Sequence, residues 1–133
     1  ESIADLWDEV ARGVGSLEAA GFRPSPAFAE IVARLDTSVS TLAEATMTSF
    51  FSTSLGEANG ALDLAPSVGA QVDALRVQAP SQKCDRGLDV CTSCLLIVEV
   101  IRPIGQVVKQ YATIAQVTMN RAMAVDAPSF SLA

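Results

Sequence analysis

Cysteine is the residue type with the sharpest local spacing in this chain, because Cys84, Cys91 and Cys94 follow one another closely. A structural zinc site takes four Cys or His ligands, whereas the chain holds three cysteines and no histidine. The Cys91-x-x-Cys94 spacing also occurs in thiol oxidoreductases, where it opens a helix of a βαβ unit. Here it runs into the apolar stretch Leu95–Val98. We therefore expect neither a metal ion nor a catalytic thiol.

The same three cysteines leave two structural alternatives open. Within one helix Cys84 and Cys91 would lie about 10.5 Å apart along the axis, which is too far for a disulfide. If Cys84 lies in a loop before the helix, the chain can turn back and form a disulfide with Cys91 or Cys94. Such a bridge implies an oxidising compartment. The alternative is three free thiols that pack as small core residues.

Catalytic groupings are scarce in the remaining sequence. Without histidine the chain lacks the commonest general base and the commonest metal ligand. Acids recur three or four positions apart at Asp5, Asp8 and Glu9 and at Asp85 and Asp89, but a di-iron bundle also requires Glu-x-x-His pairs. These acids are better interpreted as partners of the helix dipole. No nucleophile elbow or phosphate-binding loop is present, so the sequence predicts a protein that is not an enzyme and needs no cofactor.

Composition limits the partners. The 133 residues suit one domain, half of them are apolar, and the formal net charge is −6. Ten acids and three bases fall within residues 1–63, which argues against a nucleic-acid partner. The dense apolar stretch Val90–Ile101 contains Glu99 and is followed by Arg102 and Pro103. It therefore predicts a buried core helix, with no transmembrane segment.

Apolar residues recur at helical spacing along most of the chain, which predicts an all-α, up-and-down bundle of four to five helices. We expect the bundle to span residues 1–126 and to be followed by a short extended C-terminal tail, residues 127–133. Gly13 and Gly15 indicate a close helix contact or a bend. The first two predicted helices run from the Ser2 cap to Gly21 and for about 25 residues from Pro26, and a loop over residues 52–65 follows. Two further helices are predicted over residues 66–79 and 85–101, the second with Leu95 facing inward. After Pro103 we expect either a fifth helix or a kinked continuation of the fourth.

Four apolar residues are candidates for an interface: Trp7, Phe51, Phe130 and Leu132. Trp7 fits either the core or a binding anchor, since tryptophan is enriched at binding hot spots. Phe51 lies off the main apolar stripe of its helix. Phe130 and Leu132 alternate with serines in the tail, which is either a frayed end or a segment packed on its own bundle or on a neighbour.

These observations favour a non-catalytic accessory or scaffold subunit that binds a larger protein assembly, such as an organellar membrane complex. The alternative is a carrier that binds an apolar small molecule, a lipid or a pigment, inside the bundle. The chain starts at Glu1 without methionine, so we expect removal of a targeting segment and a location in a chloroplast, a mitochondrion or another extracytoplasmic compartment. The subunit hypothesis predicts an exposed apolar patch near Trp7, Phe51 or Phe130. The carrier hypothesis predicts a closed apolar cavity of about 300 Å³ or more.

Overall fold

The computed structural model describes residues 1–84 and 89–126. Its four α-helices pack into one bundle, which confirms the predicted all-α helical bundle. The predicted tail, with Phe130 and Leu132, lies outside the described residues. The elements are α1 (Ile3–Ala19), β1 (Phe22–Arg23), α2 (Pro26–Ser52), α3 (Leu55–Gln78), a 3₁₀ turn (Ala79–Ser81), β2 (Lys83–Cys84) and α4 (Val90–Asp126).

Side-chain caps explain where the helices begin. The Ser2 hydroxyl accepts a hydrogen bond from the Asp5 amide at 3.1 Å, and the Asp5 carboxylate accepts one from the Ser2 amide, which forms a capping box. At the start of α2 the Ser25 hydroxyl accepts a hydrogen bond from the Phe28 amide at 3.2 Å, and Pro26 follows in the first turn. Asp89 accepts from the Thr92 amide at 2.7 Å at the start of α4. The predicted starts of the first two helices are confirmed.

The third helix begins earlier than predicted. Residues 52–65 were expected to form a loop, but α3 starts at Leu55 and contains Asn59, Gly60 and Pro66. Two features outweigh these helix breakers: Ser54 caps the helix at the Glu57 amide, and small residues continue its buried face at helical spacing. The buried residues of α3 are Ala58, Ala61, Ala65, Val68, Val72 and Leu75.

The fourth helix settles the alternative at Pro103. A single helix of 37 residues runs through this proline, so no fifth helix begins there. Ile97, Val100 and Ile101 are buried as expected of a core helix. The expectation that Leu95 faces inward is wrong, because 64% of this residue is exposed. Residues 85–88, where the helix was expected to start, lie outside the described residues.

We call the line along which two neighbouring helices of the bundle face each other a seam, and three of the four seams are closed. Helix α1 runs along α4. The guanidinium of Arg102 lies 3.3 Å from the carboxylate of Glu9, and the side-chain Nε2 of Gln110 donates to the backbone carbonyl of Glu1 at 2.8 Å. Helix α3 packs against both α2 and α4, and α2 also contacts α4. Helices α1 and α2, although consecutive in the chain, do not pack along each other. The bundle is therefore open along its α1/α2 seam.

The loops at one end of the bundle are tied together, which the sequence analysis did not predict. Strands β1 and β2 pair antiparallel, with Phe22 opposite Cys84. The buried Gln82 accepts a hydrogen bond from the Ser25 amide at 2.7 Å and donates to the Ser25 hydroxyl at 3.1 Å. This clamp fixes the segment that leads from α1 into α2, and so it fixes one end of the open seam.

Candidate functional site: an apolar groove between α1 and α2

The open seam forms a groove of about 620 Å³, which we call the α1/α2 groove. Helices α1 and α2 are its walls, α4 is its floor, and Phe22 and Leu75 complete it. The wall of α1 consists of Trp7, Val10, Val14, Leu17 and Glu18, the wall of α2 consists of Phe28, Val32, Leu35, Asp36, Val39, Ser40 and Ala43, and the floor consists of Ile97, Val100, Ile101, Ile104 and Tyr111.

The walls carry more apolar surface than the bundle itself covers. On α1 the groove residues recur at positions 7, 10, 14 and 17, so they form one continuous stripe beside the face that packs on α4. Trp7 is 38% exposed, and Val14 and, on the opposite wall, Val32 are exposed to a similar extent. A helix partner across the seam would cover these side chains.

A close contact between helices holds α1 on the α4 side. A Cβ atom added at Gly13 would lie 2.6 Å from Val100 Cγ2, a separation that real Cβ atoms do not reach. Gly15 has no atom within 4 Å of such a position. The predicted close helix contact is therefore confirmed at Gly13, where the missing side chain lets α1 settle onto α4.

Polar groups in the groove are few. The charged residues that line it are Glu18 on α1 and Asp36 on α2, both acidic. Tyr111 is one of the floor residues and only 8% exposed. Within residues 1–84 and 89–126, no other residue forms a hydrogen bond with the Tyr111 hydroxyl. The groove is thus an apolar surface with an acidic residue on each wall.

A separate acidic cluster lies at the start of α1. Its acids are Glu1, Asp5, Asp8 and Glu9, with Arg12 beside them. A side-chain hydrogen bond with Glu9 raises the pKa of Glu1, whereas hydrogen bonds from Ser2 lower the pKa of Asp5. Three His, Cys, Asp or Glu side chains arranged to hold a metal ion do not occur in the part of the chain that the structure describes.

Trp7 and Phe51, the two predicted interface residues that the structure describes, lie in different parts of the bundle. Trp7 lies on the wall of the α1/α2 groove, whereas Phe51 lies at the end of α2, eight residues beyond the last groove residue Ala43. Phe51 is 79% exposed and stacks edge-on against Phe50, over which Arg121 lies at 5.9 Å. The interface roles of Trp7 and Phe51 stay predictions.

The cysteines lie at the clamped end of the bundle. Cys84 is buried in β2 and Cys94 is half-buried on α4, and both are free thiols in the structure. The side chain of Cys91 is outside the described part of the chain. The disulfide from Cys84 to Cys91 or Cys94 stays a prediction, which alkylation and mass spectrometry without reductant would test.

Comparison with known proteins adds no relative. No protein-family model, curated protein or solved structure matches the chain at a significant level. None of the helices in the described part of the chain has the length and apolar character that crossing a membrane requires.

Of the groove residues, Trp7 is the one among the interface candidates that the sequence predicts. Val14 and Val32 belong to the helical repeats of apolar residues in the first two helices, a pattern typical of core positions. In the structure both line the open seam. The apolar stripe of α1 carries no signal of the open seam. Its members span about 100° of the helix circumference, the ordinary width of a core-facing stripe: Ile3, Leu6, Trp7, Val10, Val14 and Leu17.

Proposed function

We propose that the protein is a non-catalytic accessory or scaffold subunit and that it binds a larger protein assembly through the α1/α2 groove. The observation that carries this proposal is the open seam itself. Both of its walls are helices, its floor is the apolar face of α4, and large apolar side chains on the walls remain exposed. Exposed apolar surface with acidic residues beside it is typical of a docking site for another protein.

The cost of leaving this surface open supports the proposal. Full burial of a Val or Leu side chain stabilises a protein by about 1.5–3 kcal/mol. Part of this stabilisation is missing in the free chain, because the side chains of Trp7, Val14 and Val32 are partly exposed. A protein partner that covers them recovers it on binding. The predicted organellar location of the complex stays a prediction.

The carrier function remains a second candidate because of two features of the same groove. Its volume of about 620 Å³ falls within the range of small-molecule sites. Its floor includes Tyr111, a residue type whose hydroxyl can both donate and accept a hydrogen bond. Against this function stands the open side of the groove, since ligand sites cover most of the ligand surface. The closed cavity that the carrier hypothesis predicts is not the shape of this groove.

A pair of matched variants tests the proposed function. Val32→Asp places a charge on the α2 wall, whereas Val77→Asp changes an exposed valine of α3 that does not line the groove. Each purified chain is used as bait in its native cell extract, and native mass spectrometry of the same samples detects bound small molecules. Circular dichroism confirms that both variants fold.

The proposal expects a defined protein partner that wild type and Val77→Asp retain and Val32→Asp loses. That partner must also bind as a purified protein with the same dependence on Val32. A small apolar molecule lost in Val32→Asp, with no protein lost, would replace the subunit function with the carrier function. Partners retained equally by both variants would overturn docking through the groove.

A further inference from the structure

We infer that the partner segment which occupies the α1/α2 groove is a single amphipathic helix of three to four turns, with Lys or Arg on both flanks of its apolar stripe. This inference rests on the proposed function and specifies the chemistry of the partner. Three properties of the groove support it: its length, the backbone chemistry of its walls, and the sign of its charges.

The length of the groove sets the length of the segment. On α1 the lining runs from Trp7 to Glu18, about 16 Å at 1.5 Å per residue. On α2 it runs from Phe28 to Ala43, about 22 Å. A helix of about 11–15 residues covers these walls. Its apolar side chains at i, i+3 or i+4, i+7 and i+11 would face the floor residues of α4.

The walls favour a helix over an extended peptide. Both walls are helices whose backbone groups are already paired within the helix, so they present only side chains to the groove. An extended peptide would leave its own amide and carbonyl groups without partners against this apolar surface, at a considerable cost. A helix pairs its backbone internally and can pack its side chains between those of the two walls.

The charges specify the flanks. Glu18 lies on one wall and Asp36 on the other, and they are the charged residues among those that line the groove. A helix between the walls with Lys or Arg on both sides of its apolar stripe would place bases beside both acids, while the long aliphatic stems cover apolar surface. A second copy of this chain is a poorer occupant, because its formal net charge of −6 is of the same sign as Glu18 and Asp36.

Two synthetic peptides of about fifteen residues provide the probe. Both carry the same leucine stripe at helical spacing, and the flanking positions are Lys in one and Glu in the other. Binding to the full chain is measured by isothermal titration calorimetry at low and at moderate salt. The variants are Val32→Asp, the charge reversal Glu18→Lys with Asp36→Lys, and a matched reversal away from the groove, Asp63→Lys with Glu99→Lys.

We expect the Lys-flanked peptide to bind wild type about tenfold more tightly than the Glu-flanked peptide, with a preference that salt reduces. Reversal at Glu18 and Asp36 should invert the preference, and reversal at Asp63 and Glu99 should preserve it. Val32→Asp should weaken both peptides.

Three kinds of failure are distinguishable. Equal binding of both peptides, abolished in Val32→Asp, would overturn the basic flanks and leave the proposed function in place. Lys-peptide binding that is insensitive to Val32→Asp would overturn the groove as the docking site. The absence of peptide binding, or a concentration-dependent dimer that Val32→Asp dissociates, would overturn the helix as the occupant.

Discussion

The α2/α3 seam and the α1/α2 seam join the same helix to two neighbours, yet one is closed and the other is open. Helix α3, which packs against both α2 and α4, carries Ala58, Ala61 and Ala65 among its buried residues. On the open seam the walls carry Trp7, Val14 and Val32, all partly exposed. Small residues let helix backbones approach and pack densely. Bulky apolar residues on the unpaired walls instead leave apolar surface exposed, and we propose that a partner covers it.

The largest expected effect is a difference in the free energy of unfolding when the same substitution, Val→Ala, is made at a buried site and on the open seam. Val72→Ala removes two methyl groups from a buried site of α3, and Val32→Ala removes them from the groove wall. We expect Val72→Ala to lower the free energy of unfolding by about 2–3 kcal/mol and Val32→Ala by less than about 1 kcal/mol. Urea denaturation measures both. Equal losses would show that the α1/α2 seam is packed as tightly as the others.

The next prediction concerns the hydrogen bonds between Gln82 and Ser25, which tie the loops together at one end of the open seam. Gln82→Ala removes the acceptor of the Ser25 amide and the donor to the Ser25 hydroxyl. We expect a loss of about 1–2 kcal/mol. Gln116→Ala, which removes an exposed hydrogen bond to Asn120, serves as the control and should change the stability little. If thermal denaturation gives both variants the same midpoint, Gln82 does not hold the segment between α1 and α2.

Two glycines of α1 sharpen the comparison with the α1/α4 seam. Gly13→Ala forces Val100 to move, and overpacking of this kind costs about 1–3 kcal/mol, less the gain in helix propensity. We therefore expect a net loss of about 1 kcal/mol. Gly15→Ala meets open space and should raise the stability by up to about 1 kcal/mol. The double variant Gly13→Ala with Val100→Ala should lose less stability than the sum of the two single variants, and a neutral Gly13→Ala would contradict the close contact.

The smallest expected effect is the pH dependence of the α1 cap. Hydrogen bonds from the Ser2 side chain, and then from its backbone amide, hold the pKa of Asp5 below its ordinary value of 3.8. Because the pKa is lower in the folded state, the stabilisation is present above 3.8 and is lost as the pH falls through the folded pKa.

A pair of variants tests whether the charge of Asp5 contributes to the cap. Asp5→Asn removes the charge, whereas Asp8→Asn removes a neighbouring charge and keeps the cap. Near pH 6 we expect Asp5→Asn to be the less stable of the two, and we expect this difference to shrink towards pH 2. Thermal denaturation at both pH values measures it. A constant difference would exclude ionisation of Asp5 as the cause.

The sequence predicts the fold class and the first half of the bundle well, because Ser2, Ser25 and Pro26 are strong helix-start signals and the α2 stripe from Phe28 to Thr46 is regular. It fails at residues 52–65. There the buried face consists of alanines, so the periodicity of large apolar residues is weak. Gly60 and Pro66 are residue types common in loops, although both lie inside α3. Trp7 was identified by its residue type alone. Which seam stays open depends on distances between helices, and Gly13 gives only an indirect sign of those distances.

The most direct test of the proposal that the open seam binds a partner uses the single tryptophan of the chain, Trp7, as a reporter on the groove wall. Acrylamide quenching of its fluorescence is measured with and without the Lys-flanked helix, in wild type and in the Val32→Asp and Val77→Asp variants. We expect Trp7 to be partly accessible in the free protein and protected by the helix in wild type and Val77→Asp, with no protection in Val32→Asp. A Trp7 already protected in the free protein, or quenching unchanged when the helix binds, would contradict the open α1/α2 groove as the docking site.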